Sequence, residues 1–215
     1  TRLYGKGKPV GRLLTPRTRH PLEDAGADGL WWAADNDAFG GFREDRFLRM
    51  LSRLQGRPHC LWVAAPDAVT QTPDGPVGDA AATLDLFDRW EPVLRSYGFP
   101  VALVAQDGLE SLTVPWERLD CLFIGGSTAW KEGEAAEMLA REAKRQRKWV
   151  HVGRVSTHRR IRKVQTHYLA DSIDSTAFAR WCDKLLPRAL EVVTERQLRL
   201  EVYCEDGTTA LGRVG

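Results

Sequence analysis

The run Ala170-Asp171-Ser172-Ile173-Asp174-Ser175-Thr176 places two carboxylates three residues apart around a β-branched residue suited to a core, and its latter half reads as a short strand. Five earlier segments close in the same manner, each a short apolar run finishing in a polar residue or a glycine. Asp35 ends Leu30-Trp31-Trp32-Ala33-Ala34, Asp67 ends Leu61-Trp62-Val63-Ala64-Ala65-Pro66, and Gln106 ends Val101-Ala102-Leu103-Val104-Ala105. Gly125-Gly126 ends Cys121-Leu122-Phe123-Ile124, and Gly153-Arg154 ends Trp149-Val150-His151-Val152. Read as parallel strands, these runs bring their C-terminal ends to one edge, where α/β folds place their chemistry. Asp35, Asp67, Gln106 and Asp174 then surround one pocket.

The connecting segments fit that reading. Arg43 to Leu54 carries Phe47, Leu48, Met50, Leu51 and Leu54 at helical spacing, with Gly56 as its stop. Thr72-Pro73-Asp74-Gly75-Pro76 reads as a loop, and Asp79 as the N-cap of a helix to Tyr97 whose inner stripe is Leu84, Phe87, Val93, Leu94 and Tyr97. Pro92 inside that helix predicts a kink or break. Leu109 to Leu119 reads as a short connection, and a further helix spans about Lys131 to Gln146 with Ala135, Met138, Leu139 and Ala143 on one face. A short basic helix or loop follows the fifth strand. Consecutive right-handed βαβ units are the consequence.

A complete (β/α)₈ barrel takes about 250 residues, with a lower limit near 200; this chain has 215. No glycine-rich dinucleotide fingerprint follows the first strand, so the expected fold is one α/β domain, a compact or incomplete TIM-type (β/α) barrel, rather than a doubly wound sheet. Residues 1–29 read as an irregular segment, 30–178 as the core, and 179–215 as a C-terminal helix and a strand over 196–204. Closing a barrel requires a strand from the N-terminal segment as well. Gly5-Lys6-Gly7-Lys8 lacks the spacing of a phosphate loop and reads as a basic turn.

Lys plus Arg at 31 nearly balance Asp plus Glu at 29, so total charge says little about partners. Cys60, Cys121, Cys182 and Cys204 are widely spaced with no Cys-x-x-Cys pair, which reads as free thiols in a reducing compartment and not as a zinc site. No apolar run approaches the roughly 20 residues of a membrane span and no signal-peptide core is present. A soluble cytoplasmic protein, without metal or cofactor, is the expectation.

The ordered segments Ala34-Asp35-Asn36-Asp37-Ala38-Phe39, Ala65-Pro66-Asp67, Val104-Ala105-Gln106-Asp107-Gly108, Phe123-Ile124-Gly125-Gly126-Ser127, Val150-His151-Val152-Gly153 and Asp171-Ser172-Ile173-Asp174 resemble the tRNA-guanine transglycosylase superfamily, in particular its short phage-associated members that act on DNA. The resemblance covers roughly residues 30–178. It implies that Asp174, with Ile173 in place of a phenylalanine, is the nucleophile, and that Asp35 serves in acid/base chemistry. It further implies that Asp67, Gln106 and the Gly125-Gly126-Ser127 loop hold the base. Asn36, Asp37 and Ala38 stand where that family has Ser-Gly-Gly, which makes Asp37 a rival to Asp35. The zinc-binding cysteines of the tRNA enzymes are absent.

The chemistry is coherent without the family. Breaking a base–sugar bond passes through an oxocarbenium-like state that one carboxylate traps while a second group handles the proton of the leaving base. Such a base must be single-stranded or flipped out of its stack. Between Arg141 and Lys163 ten Lys/Arg residues face one acidic residue, Glu142, which reads as a phosphate-contacting surface in which Arg154, Arg159, Arg160, Arg162 and Lys163 touch a DNA backbone. Lys144, Arg145, Arg147 and Lys148 also complement a helix C-terminus. Asp171 reads as a cap or supporting group, His151 as a core histidine or a site residue, and Trp130 as a pocket wall. The expected activity is a DNA glycosylase or a DNA-guanine transglycosylase that takes up a free 7-deazaguanine base. The alternatives are an inactive nucleic-acid-binding module and a barrel enzyme holding a small phosphorylated substrate at Gly125-Gly126-Ser127.

Overall fold

The computed structural model describes residues 10–18, 21–72, 75–181 and 184–193. Their strands are β1 (Arg12–Leu14), β2 (Trp32–Ala34), β3 (Cys60–Ala64), β4 (Ala68–Thr72), β5 (Gly75–Asp79), β6 (Val101–Ala105), β7 (Cys121–Ile124), β8 (Trp149–Val152) and β9 (Ser172–Ile173). Seven of them form one sheet in the order β1-β2-β3-β6-β7-β8-β9, every pair parallel. Because each crossover lays the next strand beside its predecessor without reversal, the helices collect on one side and the twisted sheet curls into a half-barrel. The strands β4 and β5 form a separate antiparallel hairpin.

The helices are α1 (Glu44–Leu54), α2 (Ala80–Ser96), α3 (Thr128–Lys131), α4 (Glu134–Arg145), α5 (His158–Thr166) and α6 (Thr176–Arg180), and residues 184–193 are also helical. Alternation along the strands sends Val63, Val101, Leu103, Leu122, Ile124, Val150 and Val152 outward into one core with Phe47, Leu51, Phe87, Leu94, Leu139 and Ile161 of the helices. Each such fully buried side chain contributes about 1.5–3 kcal/mol. The opposite face carries Ala33, Trp62, Ala64, Ala102, Val104, Cys121 and Phe123. Small residues on neighbouring strands leave space there for the Trp62 ring, which lies 5.4 Å from Phe123 and 4.8 Å from His151.

Several local expectations are corrected. Val10 to Leu14, read as loop or irregular edge, supplies β1, whose backbone continues into β2 through the Asp35 N–H to Leu14 O bond at 2.8 Å. Thr72, Gly75 and Pro76, read as part of a loop, lie in paired strands, Thr72 opposite Gly75 and Gln71 opposite Pro76. Helix α2 runs through Pro92. Burial of Phe87, Trp90 and Leu94 on both sides of the proline offsets the lost backbone bond. The predicted helix over 131–146 is two helices broken at Gly133, and its buried face is Ala136, Leu139, Ala140 and Ala143, with Met138 exposed. Cys121 is buried and free, and burial pushes the Cys60 thiol up to about 12, so both thiols are held protonated. Cys182, Cys204, Gly5 to Lys8 and the strand over 196–204 lie outside the described residues. No helix among the described residues is long and apolar enough to cross a membrane.

Candidate active site

The parallel register decides what meets at the C-terminal edge. Asp35 follows β2, Asp67 follows β3, Gln106 follows β6, Gly125 follows β7, Gly153 follows β8 and Asp174 follows β9. Asn36 is fully buried and ties the first two together: its Nδ2 donates to Asp67 Oδ1 at 2.9 Å and to Ala65 O at 2.8 Å, while its Oδ1 accepts from Ala38 N at 2.7 Å. Gln106 donates from Nε2 to Asp67 Oδ2 and accepts at Oε1 from Gly126 N at 3.1 Å, a pattern that defines which way the amide points. Strand β5 lies against this amide so closely that a Cβ on Gly78 would stand 1.9 Å from Gln106 Oε1. The hairpin absent from the sequence reading is therefore a wall of the site.

Three carboxylates share this edge, and their surroundings separate them. Burial, then the charges of Asp67 and Asp174, push the Asp35 carboxyl up to about 7, against the partial relief of the Asn36 and Asp37 backbone N–H groups. Burial also raises Asp67, although the Asn36 and Gln106 amides donate to it. Asp174 moves the other way. Its burial is outweighed by the His151 hydrogen bond and charge, by the Arg154 backbone N–H at 3.2 Å from Oδ1, and by Lys131, which together hold it below the ordinary carboxylate value.

His151 is buried on the inner face of β8, with its ring 4.6 Å from that of Phe123. The Trp149 indole N–H donates to Ser172 Oγ at 2.8 Å, and His151 Nδ1 lies 2.8 Å from the same oxygen. The Ser172 hydroxyl has a second acceptor position besides the one Trp149 fills, so it either accepts from Nδ1 or donates to it. An ionised carboxylate only accepts, so the imidazole Nε2, 2.9 Å from Asp174 Oδ2, carries a proton and donates to it. His151→Phe keeps the ring volume and removes this donor, so the titration midpoint of the Asp174 carboxyl should rise by about one unit or more. His151→Gln, which keeps an N–H donor, should reverse much of that rise when the Asp174 carboxyl is followed by NMR. Equal midpoints for the two variants would show that His151 acts only as packing.

The glycine loop is held from both sides. Asp107 accepts from the Ser127 N–H and hydroxyl, each at 2.6 Å, and Ser127 Oγ accepts from Trp130 N at 3.2 Å, so this hydroxyl is committed to capping α3. Gly126 adopts φ 41°, and a Cβ there would meet Trp130 and the Asp107 carboxylate. Arg154 donates to Gly126 O and to Gly125 O at 3.3 Å, and its guanidinium stands 5.1 Å from the exposed Phe39 ring.

The remaining expected residues distribute unevenly. Asp37 is in the left-handed region at φ 64° and pairs with Arg17, away from the Asp67–Gln106 amide network. Asp171 accepts from Lys144 Nζ at 2.7 and 2.8 Å and from Val150 N at 2.7 Å, a supporting role. Arg159 and Arg162 are exposed on α5, Arg160 pairs with Glu132, and Lys163 donates to Glu132 O. Asn36, Ser172 and Lys131 were not singled out by the sequence. Strand parity was the available signal for His151, since it shares the inward alternation of β8 with Trp149. Among the described residues no group of three or more His, Cys, Asp and Glu is arranged to hold a metal ion. No protein-family model matches the chain, and no curated protein matches it.

Proposed function

We propose that the protein cleaves the N-glycosidic bond of a base in DNA through an aspartate nucleophile. The observation that carries this reading is the pair of carboxylates at one sheet edge whose environments drive their proton affinities apart: Asp35 is raised to about 7 and Asp174 is lowered. Such a separation suits one group to give a proton and the other to attack, which supports the reading. Asp174 attacks C1′ as the C1′–N bond breaks, and the electron pair of that bond leaves on the base nitrogen, which takes the proton of Asp35. The resulting glycosyl ester is then opened either by water, which loses its proton to the Asp35 carboxylate, or by the ring nitrogen of an incoming base. Asp67 and Gln106 read the base edge, and the Gly125-Gly126 backbone lies against its face. A flipped or single-stranded base reaches this edge from the side of Phe39 and Arg154.

The sequential parallel winding supports kinship with a TIM-type barrel, and the ordered motifs support membership of the transglycosylase-like enzymes that act on DNA. The arginines of α5 supply backbone contact. Incubation with modified and unmodified DNA, followed by alkali, tests the reading. Strand breaks without added base indicate hydrolysis to an abasic site, and incorporation of a labelled 7-deazaguanine without breaks indicates exchange. Binding with neither product, across modified and unmodified DNA, would leave a nucleic-acid-binding module.

A further inference from the structure

We propose that the concavity between α3 and α5, walled by Lys131, Arg154, Arg160 and Lys163 around the Gly153 backbone, is a binding site for one phosphate group. Its floor is apolar, formed by Val152, Val155 and Val164, and Thr128 stands at its rim. Four cationic side chains line it against a single carboxylate, Glu132, and that carboxylate is engaged by Arg160. Asp174 attracts Lys131 through space without a hydrogen bond between them, so positive charge still exceeds negative at this hollow.

Lys131 makes this most evident. It is 7% exposed, its ammonium donates to Gly153 O at 2.7 Å, and no carboxylate among the described residues bonds to it. An ammonium carries three donors, so two remain for a ligand. Burial chiefly, with the neighbouring Arg154 and Arg160 charges, lowers Lys131 to about 8 against the pull of Asp174 and Glu132. A tetrahedral dianion fits this demand: it supplies acceptors to several donors at once and neutralises the cluster.

The position ties the site to the chemistry. Lys131 donates to the carbonyl of Gly153, and a Cβ on Gly153 would stand 3.3 Å from Asp174 Oδ2, so the hollow and the Asp174 carboxylate both adjoin this one residue. A phosphate fixed there sets the reach of an attached sugar toward Asp174. The phosphate is either a DNA backbone phosphate next to the target base or the terminal phosphate of a small sugar phosphate; the first source rests on the proposed glycosidic activity and the second does not.

Inorganic phosphate is the first probe. It should raise the melting temperature of the wild-type protein and raise the titration midpoint of the Lys131 ammonium, followed by lysine-selective NMR. The variant Arg160→Gln/Lys163→Gln, changed only at the outer wall, should bind phosphate at least tenfold more weakly while melting near the wild type in phosphate-free buffer. No phosphate-dependent shift in the wild type, or an unchanged response in a folded double variant, overturns the proposal. Should the variant fail to fold, a wild-type Lys131 midpoint that saturating phosphate does not move overturns it equally. An oligonucleotide carrying one uncharged methylphosphonate beside the target base, compared with 2-deoxyribose 5-phosphate, then separates the sources. Weaker binding of the methylphosphonate oligonucleotide, with a salt slope lower by roughly one unit, assigns the backbone phosphate. Tight binding of the sugar phosphate with no turnover of DNA keeps the phosphate site and removes the glycosidic reading. Full DNA cleavage by a double variant that binds phosphate like the wild type removes the site and keeps the reading.

Discussion

Asp174→Asn should reduce product formation by roughly 10⁴-fold or more while DNA affinity holds or rises. Losing a nucleophile removes the covalent route entirely, and comparable deletions in other enzymes cost that much or more. The amide is nearly isosteric and still accepts from the Arg154 N–H through its carbonyl oxygen, so the 3.2 Å contact that seats the strand end survives. What it lacks is the negative charge that His151 and Lys131 now stabilise. Removing a carboxylate from a buried cluster also lowers repulsion toward DNA phosphates, which is why affinity does not fall with rate. Single-turnover kinetics and a binding titration on the same oligonucleotide measure the two quantities. An Asp174→Asn variant with wild-type turnover would sink the assignment of the nucleophile.

Asp35→Asn should be slower by about 10²–10⁴-fold and, at the same time, more stable at alkaline pH. The sign follows from linkage. The Asp35 carboxyl has a folded value of about 7 against 3.8 for the ordinary group. Between those values the folded chain keeps a proton that the unfolded chain has released, so wild-type stability is full below about 4 and falls as pH rises toward 7. A shift of that size corresponds to stabilisation of about 4 kcal/mol that is lost by pH 8, and the neutral amide does not lose it. Urea unfolding at pH 4 and pH 8 should therefore show the variant close to wild type in acid and well above it in alkali. Under the proposed mechanism, activity should decline above about pH 7, as Asp35 gives up the proton meant for the leaving base, and its acid limit should lie below the ordinary carboxylate range because Asp174 is lowered. A variant whose stability advantage is the same at both pH values would place the Asp35 charge elsewhere.

The strands that carry the site were legible where their burial is complete. Val101–Ala105, Cys121–Ile124 and Trp149–Val152 are bounded in the structure as their apolar runs suggest, since strands covered on both faces need apolar residues throughout and end where the chain must turn. Asp79 capping α2 through Ala82 N was legible for a similarly local reason, because a cap bonds within its own turn. The hairpin was hidden: Gly75, Gly78, Pro76 and Pro73 have low strand propensity, and β4–β5 owes its existence to pairing and to its place over Gln106. Of the expected α4 face, Leu139 and Ala143 are buried while Ala136 and Ala140 take the places of Ala135 and Met138; the break at Gly133 is held by the Tyr168 hydroxyl, which donates to the carbonyls of Lys131 and Gly133 from 35 or more residues away.

The sequence by itself determined that apolar runs alternate with helices and that each run ends in a polar residue or glycine, because periodicity and turn chemistry are local. Tertiary structure alone decided that these ends sit on a half-barrel of seven strands, with a hairpin over Gln106 and a cationic hollow beside Gly153. It also decided which aspartate keeps its proton. Asp35 and Asp174 are the same residue type at equivalent strand ends and both are buried, but Asp35 lies beside two carboxylates whereas Asp174 receives the His151 N–H at 2.9 Å and the Arg154 N–H at 3.2 Å with Lys131 nearby.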